Sequence, residues 1–180
     1  VYPEIPDFDL IRALNHGLLP RHYLSANPHG LIESYVNEYL KDEVAAEALT
    51  RNVPAFSRFL ESAAFSNSEM VNYQNIAGEC GVSPQTAKEY FQILEDTLLG
   101  RFMQCYRKRP KRRVIVQPKF YFFDLCLPNF LLKRGNIAPG SELFGKAFEH
   151  FIFQELTAHS HYSGKKYSIT FWRTASQFEV

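Results

Sequence analysis

Helical spacing dominates the apolar pattern in the first part of this chain, and its tail reads as the beginning of an α/β unit. The opening VYPEIPDF is Pro-interrupted and extended. A short amphipathic helix is predicted from Asp9 to Asn15, stopped by Gly17 and Pro20. The longest helical pattern runs from Pro28 to Leu49, with Leu31, Ile32, Tyr35, Val36, Tyr39 and Leu40 on one face. A further helix is predicted over Pro54 to Phe65, burying Phe56, Phe59, Leu60 and Ala63. Beyond residue 118 the pattern predicts a strand at Lys119 to Phe123. A short segment at Leu125 to Leu132 reads as a helix broken by Pro128. A strong amphipathic helix is expected over Glu142 to His159, burying Phe144, Ala147, Phe148, Phe151, Ile152 and Leu156. Strands are expected at Tyr167 to Arg173 and from Phe178.

The most informative stretch lies between about residues 70 and 117. Tyr73 to Cys80 reads as a short helix with Ile76 and Ala77 inward. Gly81 and Val82 follow, and Ser83-Pro84 opens a new helix as cap and first-turn proline. Its buried stripe is Ala87, Tyr90, Phe91, Leu94 and Leu98, and Gly100 ends it. Helix, glycine turn and capped helix form a helix-turn-helix pattern. Arg101 to Arg107 then alternates as a strand, a basic tip covers Lys108 to Arg113, and Val114 to Val116 returns. The expected architecture is mainly α with an α+β tail, built on a winged helix-turn-helix. Two ordinary packed helices before a hairpin are the alternative.

Composition narrows the function classes. Apolar residues make up 46% of the chain, with 16 Phe and 10 Tyr, so it can bury a real core. The net charge of +1 means that any attraction to nucleic acid must come from a local patch. Such a patch exists: Arg101, Arg107, Lys108, Arg109, Lys111, Arg112 and Arg113 are seven cations within thirteen residues. They can neutralise phosphates, or simply solvate a hairpin. Gln85, Thr86 and Lys88 occupy exposed helical positions suited to groove contacts, and the two uncharged side chains can address base edges. Glu89, Glu95 and Asp96 on the same helix oppose DNA, which favours protein packing over sequence readout. Cys80, Cys105 and Cys126 are an odd, widely spaced set that predicts buried thiols in a reducing compartment. No run long enough for a membrane span occurs, so a cytoplasmic setting without a membrane partner is expected.

No phosphate-cradling glycine loop, nucleophile elbow or H-E-x-x-H motif is present. His159 and His161 flank a helix end, where a cation suits the helix dipole. Glu149, Glu155 and Glu179 are carboxylates of the kind that a helix and an adjacent strand can present to Mg²⁺, although solvated acids on an amphipathic helix are the ordinary reading. No cofactor or metal is expected on this chain itself. Val1 is not Met, and Val180 falls inside a strand pattern; both ends read as cuts in a longer polypeptide. Phe171 and Trp172 are expected to be exposed there and to favour self-association into a homo-oligomer.

In order, the blocks LIESYVNEYLKDEV (31–44), FSRFLESAA (56–64), NIAGECGVSPQTAKEYFQILEDTLL (75–99), KFYFFDLCL (119–127), LFGKAFEHFIFQEL (143–156) and FWRTASQFEV (171–180) resemble the C-terminal domain of unknown function of prokaryotic AAA+-type ATPases. The resemblance implies a preceding ATPase module in the same polypeptide, which would be the part that uses ATP and Mg²⁺. It further implies a lid remnant or linker at 1–27 and a helical segment with winged helix at 28–117. A truncated restriction-endonuclease-like α/β domain of the PD-(D/E)XK type would occupy 118–180. Glu149 then matches the helical acid of that motif and Glu179-Val180 the start of its E-V-D strand, leaving the catalytic set incomplete. The expected function is a non-catalytic regulatory module that binds nucleic acid or a partner. The alternatives are part of a metal-dependent nuclease, or a structural interaction module.

Overall fold

A computed structural model describes residues 7–38, 53–106 and 117–173. Helices dominate, and a small mixed sheet of three strands completes an α+β architecture. Among the described residues, no helix is long and apolar enough to cross a membrane.

Helix α1 spans Leu10–His16, and Asp9 caps it by accepting from Ile11 N at 2.8 Å and Arg12 N at 3.1 Å. Gly17 ends it as expected. Pro20 does not stop structure but opens α2 (Pro20–Leu24), because its missing N–H costs nothing in a first turn. Helix α3 (Pro28–Ser34) runs into a π turn at 35–38, and the rest of the predicted long helix lies outside the described residues. Helices α1 and α2, in the stretch assigned to a lid remnant or linker, bury Ala13, Leu14 and Tyr23 against Leu125, Ile137, Ala147 and Phe151.

Helix α4 (Val53–Phe65) buries Phe56, Phe59, Leu60 and Ala63, the predicted stripe. It packs against α5 (Tyr73–Cys80) and α6 (Pro84–Asp96), against α6 through edge-on rings: Phe59 meets Phe91 at 4.9 Å and Tyr90 at 5.2 Å. Gly81 is left-handed (φ 68°, ψ 38°), which lets Val82 N reach back to Ala77 O and close α5. Arg58 of α4 donates twice to Cys80 O, capping the same end. Ser83 Oγ accepts from Thr86 N at 3.0 Å and starts α6. Ser83→Ala should lower stability by about 1 kcal/mol in chemical denaturation, since it deletes one N-cap bond.

Helix α6 ends before the predicted stop. Leu98 is left-handed (φ 61°) and 78% exposed, contrary to its expected place in the buried stripe; Leu99 turns inward instead, with its N–H on Leu94 O. The apolar periodicity runs two residues beyond the last helical turn, which ends at Asp96. Gly100 therefore opens β1 (Gly100–Cys105), where an added Cβ would sit 2.2 Å from the Phe120 ring.

Strand β1 pairs antiparallel with β2 (Lys119–Phe122), so the 117/118 division falls between two paired strands. The expected returning strand at 114–116 lies outside the described residues. The far edge of β2 is covered by 67–71, with Ser68 N on Phe120 O and Val71 N on Pro118 O. Helix α7 (Cys126–Leu131) is not broken by Pro128, which occupies its first turn, where N–H groups have no partner within the helix. Strand β3 (Thr170–Phe171) runs parallel to β1 and is shorter than predicted.

Helix α8 (Glu142–Tyr162) departs most from expectation. Ala147, His150, Phe151 and Phe153 are buried, whereas Phe148, Ile152 and Leu156 are exposed. Hydrophobicity alone predicts Ile152 inside; instead His150 takes an inward place through its hydrogen bonds to Asn67 and Phe122. Phe171 is likewise buried rather than exposed, while Trp172 is half exposed. Cys80 and Cys126 are buried free thiols, and Cys105 is partly buried.

Candidate functional site

The face of α6 and the hairpin that follows it carry the predicted nucleic-acid contacts. Gln85 and Lys88 are exposed on α6, and Thr86 is half-buried. Gln85 Nε2 donates to Glu89 at 3.0 Å, and Thr86 Oγ1 bonds Ser83 Oγ at 2.9 Å, so both polar tips have intrahelical partners. Further along, Gln92 donates to Asp96 at 2.9 Å. Lys88 thus shares this helix with Glu89, Glu95 and Asp96, and the positive charge belongs to the β1–β2 connection. Arg101 is exposed within β1. Arg107, Lys108, Arg109, Lys111, Arg112 and Arg113 lie outside the described residues.

A second site forms where α8 crosses the sheet. In β2, residues two apart point to one face, so Lys119 and Tyr121 emerge together while Phe120 and Phe122 enter the helical core. Both meet Glu149 of α8: Lys119 Nζ lies 2.8 Å and Tyr121 OH 2.7 Å from the same carboxylate oxygen, Oε1. Phe171 lies under the Lys119 ammonium at 5.6 Å, and Phe153 stacks on Tyr121 at 4.1 Å. Lys119 is only 5% exposed. A buried ammonium needs a counter-charge, and Glu149 supplies it from the rim. The adjoining cavity of about 340 Å³ is lined mainly by apolar side chains, including Met103, Ile152, Leu156 and Ile169.

Glu149 is therefore committed to Lys119 and Tyr121. Among the described residues no group of three His, Cys, Asp or Glu side chains could hold a metal ion. Glu179 lies outside the described residues.

Two polar groups that the pattern missed hold this region together. His150 is fully buried, and its ring spans Asn67 and β2. Asn67 Oδ1 accepts from Phe122 N at 3.0 Å, so Asn67 Nδ2 is the donor to His150 Nδ1 at 2.9 Å. That leaves Nε2 to carry the proton and donate to Phe122 O at 2.8 Å. Burial lowers the His150 pKa to about 3, with the nearby Arg134 charge adding to the effect. The other is Asp124, 1% exposed, which accepts from Leu18 N (2.7 Å), Leu19 N (3.2 Å) and Cys126 N (2.8 Å). Burial raises its pKa, and these N–H donors pull it back down. The alternation in KFYF could have signalled Lys119 and Tyr121; nothing local marks Asn67.

No curated protein and no solved structure matches this chain. A family match covers residues 7–137, more than half of the chain, from the cap of α1 past α7. The chain belongs to the family described as Domain of unknown function (DUF8612).

Proposed function

We propose that this chain is a non-catalytic binding module that engages the phosphate backbone of nucleic acid through a winged helix-turn-helix, as the regulatory part of a larger AAA+-type ATPase. The observation that carries the reading is the order α5, left-handed Gly81, Ser83-capped α6 and antiparallel β1–β2, with six cations in the connection between the strands. In this reading the connection is the wing, whose Lys and Arg side chains meet phosphates. The intrahelical partners of Gln85 and Thr86, together with three acids on α6, favour contact that does not depend on base sequence. The ATPase part of the proposal rests on the ordered resemblance of the blocks from residue 31 onward. ATP chemistry belongs to a module that would precede this one.

An electrophoretic shift with unrelated DNA duplexes, titrated with salt, tests it. Binding should weaken alike for every duplex as salt rises, with a log–log slope of about −0.9 per phosphate contacted. Reversing Arg109, Lys111 and Arg112 to Glu should weaken all duplexes equally and flatten that slope by about three contacts' worth. No binding at about 50 mM salt, or a strong preference for one sequence surviving the reversal, would sink the proposal.

A further inference from the structure

We propose that the cleft between α1, α3 and the end of α7 binds a small phosphate-bearing anion, either inorganic phosphate or the head of a compact phosphomonoester. The inference goes beyond the nucleic-acid reading and stands without it. The cleft has a volume of about 210 Å³, and four of its lining side chains can carry positive charge: His16, His29, Lys133 and Arg134. Among the described residues no carboxylate lines it.

Cations near a helix C-terminus are ordinary when they reach into water. Arg134 does so only in part: it is half-buried, and that burial lowers its pKa from the usual guanidinium value. Among the described residues its side-chain bond is to Asn129 Oδ1 at 3.3 Å, and no Asp or Glu pairs with it. A guanidinium partly withdrawn from water with one neutral protein partner keeps most of its donor fork open to a ligand, and that fork matches phosphate oxygens two at a time. His16 adds a second unmet group: its Nδ1 is buried without a hydrogen-bond partner.

The walls are fixed in advance. Asn129 Nδ2 holds Leu14 O at 3.0 Å, and Asn15 exchanges two bonds with the Ile137 backbone at 2.7 and 2.9 Å. The turn that presents the two cations is closed by Lys133 N on Phe130 O and Arg134 N on Asn129 O, with Lys133 left-handed at φ 48°. Phe130 meets the His29 ring edge-on at 5.2 Å. Size sets the ligand class, because pockets for drug-sized molecules run to about 300–1,000 Å³. A phosphate group fits this one.

Calorimetric titration of inorganic phosphate into the full chain in chloride buffer tests the site. Saturable binding at one site per chain is expected, with Arg134→Gln and Lys133→Gln each weakening it about tenfold or more through a lost charged hydrogen bond. Lys133 is exposed, so Lys133→Gln should keep the wild-type circular dichroism spectrum even if Arg134→Gln folds poorly. Charge reversal at Arg109, Lys111 and Arg112 should leave phosphate binding unchanged, which separates this site from the wing. A parallel titration with glycerol phosphate identifies the source: tighter binding than phosphate assigns a monoester, equal or weaker binding assigns the free ion. Non-saturable uptake, or full affinity retained in Lys133→Gln and Arg134→Gln together, overturns the proposal.

Discussion

Taking the protein from pH 7 to pH 4 should lower its unfolding free energy by roughly 3 kcal/mol through His150 alone, since each pH unit below about 6.5 removes about 1.4 kcal/mol. The sign follows from which state binds the proton. An unfolded imidazole takes one up near 6.5, whereas folded His150 resists until about 3. Between those values the unfolded chain holds the extra proton, so stability falls as pH falls. Hydrogen bonding adds to the cost, because protonated Nδ1 would face the Asn67 amide donor across 2.9 Å. Asp124 acts with the opposite sign. Its raised pKa makes the folded state the better proton acceptor in the acid range, which blunts the loss. Urea denaturation at a series of pH values measures the slope. His150→Leu should be less stable at pH 7, leaving Phe122 O and Asn67 without their partner, yet show a flatter slope between pH 6.5 and 4. Parallel slopes in the two proteins would assign the acid sensitivity elsewhere.

Gly17→Ala should cost about 3–5 kcal/mol, a large share of the 5–15 kcal/mol that holds a typical domain. The backbone there stands at φ 85°, ψ 178°, a region essentially closed to residues with a Cβ. An added methyl would lie 2.0 Å from Asp124 Oδ1 and 2.9 Å from its Cγ. The carboxylate must then move, and the N–H groups of Leu18, Leu19 and Cys126 lose their acceptor inside the protein. Each buried orphan costs about 1–3 kcal/mol. Gly164→Ala is the control: φ is 69°, but nothing lies within 4 Å of the new methyl, so only backbone strain of about 1–2 kcal/mol remains. Chemical denaturation of both variants decides the matter. Equal losses would mean that Asp124 is not the anchor between the α1–α2 turn and α7.

Local signals were strong wherever a helix was amphipathic and capped. The Tyr73–Cys80 helix, the left-handed Gly81 and the Ser83 cap follow from side-chain chemistry within a few residues, and so does the buried face of α4. They were weaker where an apolar run continued past its element, as at Leu98, and where proline stood in a first turn, as at Pro20 and Pro128.

The candidate sites divide along the same line. The cations between β1 and β2 are visible in the order of residues because charge is a property of the side chain itself. The partners of Glu149, the inward turn of His150 and the enclosure of Arg134 are not. Each depends on a residue far along the chain: Lys119, Asn67 and the His16 turn, respectively. Capping, periodicity and charge act over a few residues, so composition and spacing alone establish helices α4, α5 and α6, the turn between α5 and α6 and the basic connection. Whether a polar side chain ends up solvated, paired or buried depends on which distant groups remove its water. For His150, Asp124 and Arg134, tertiary packing made that choice.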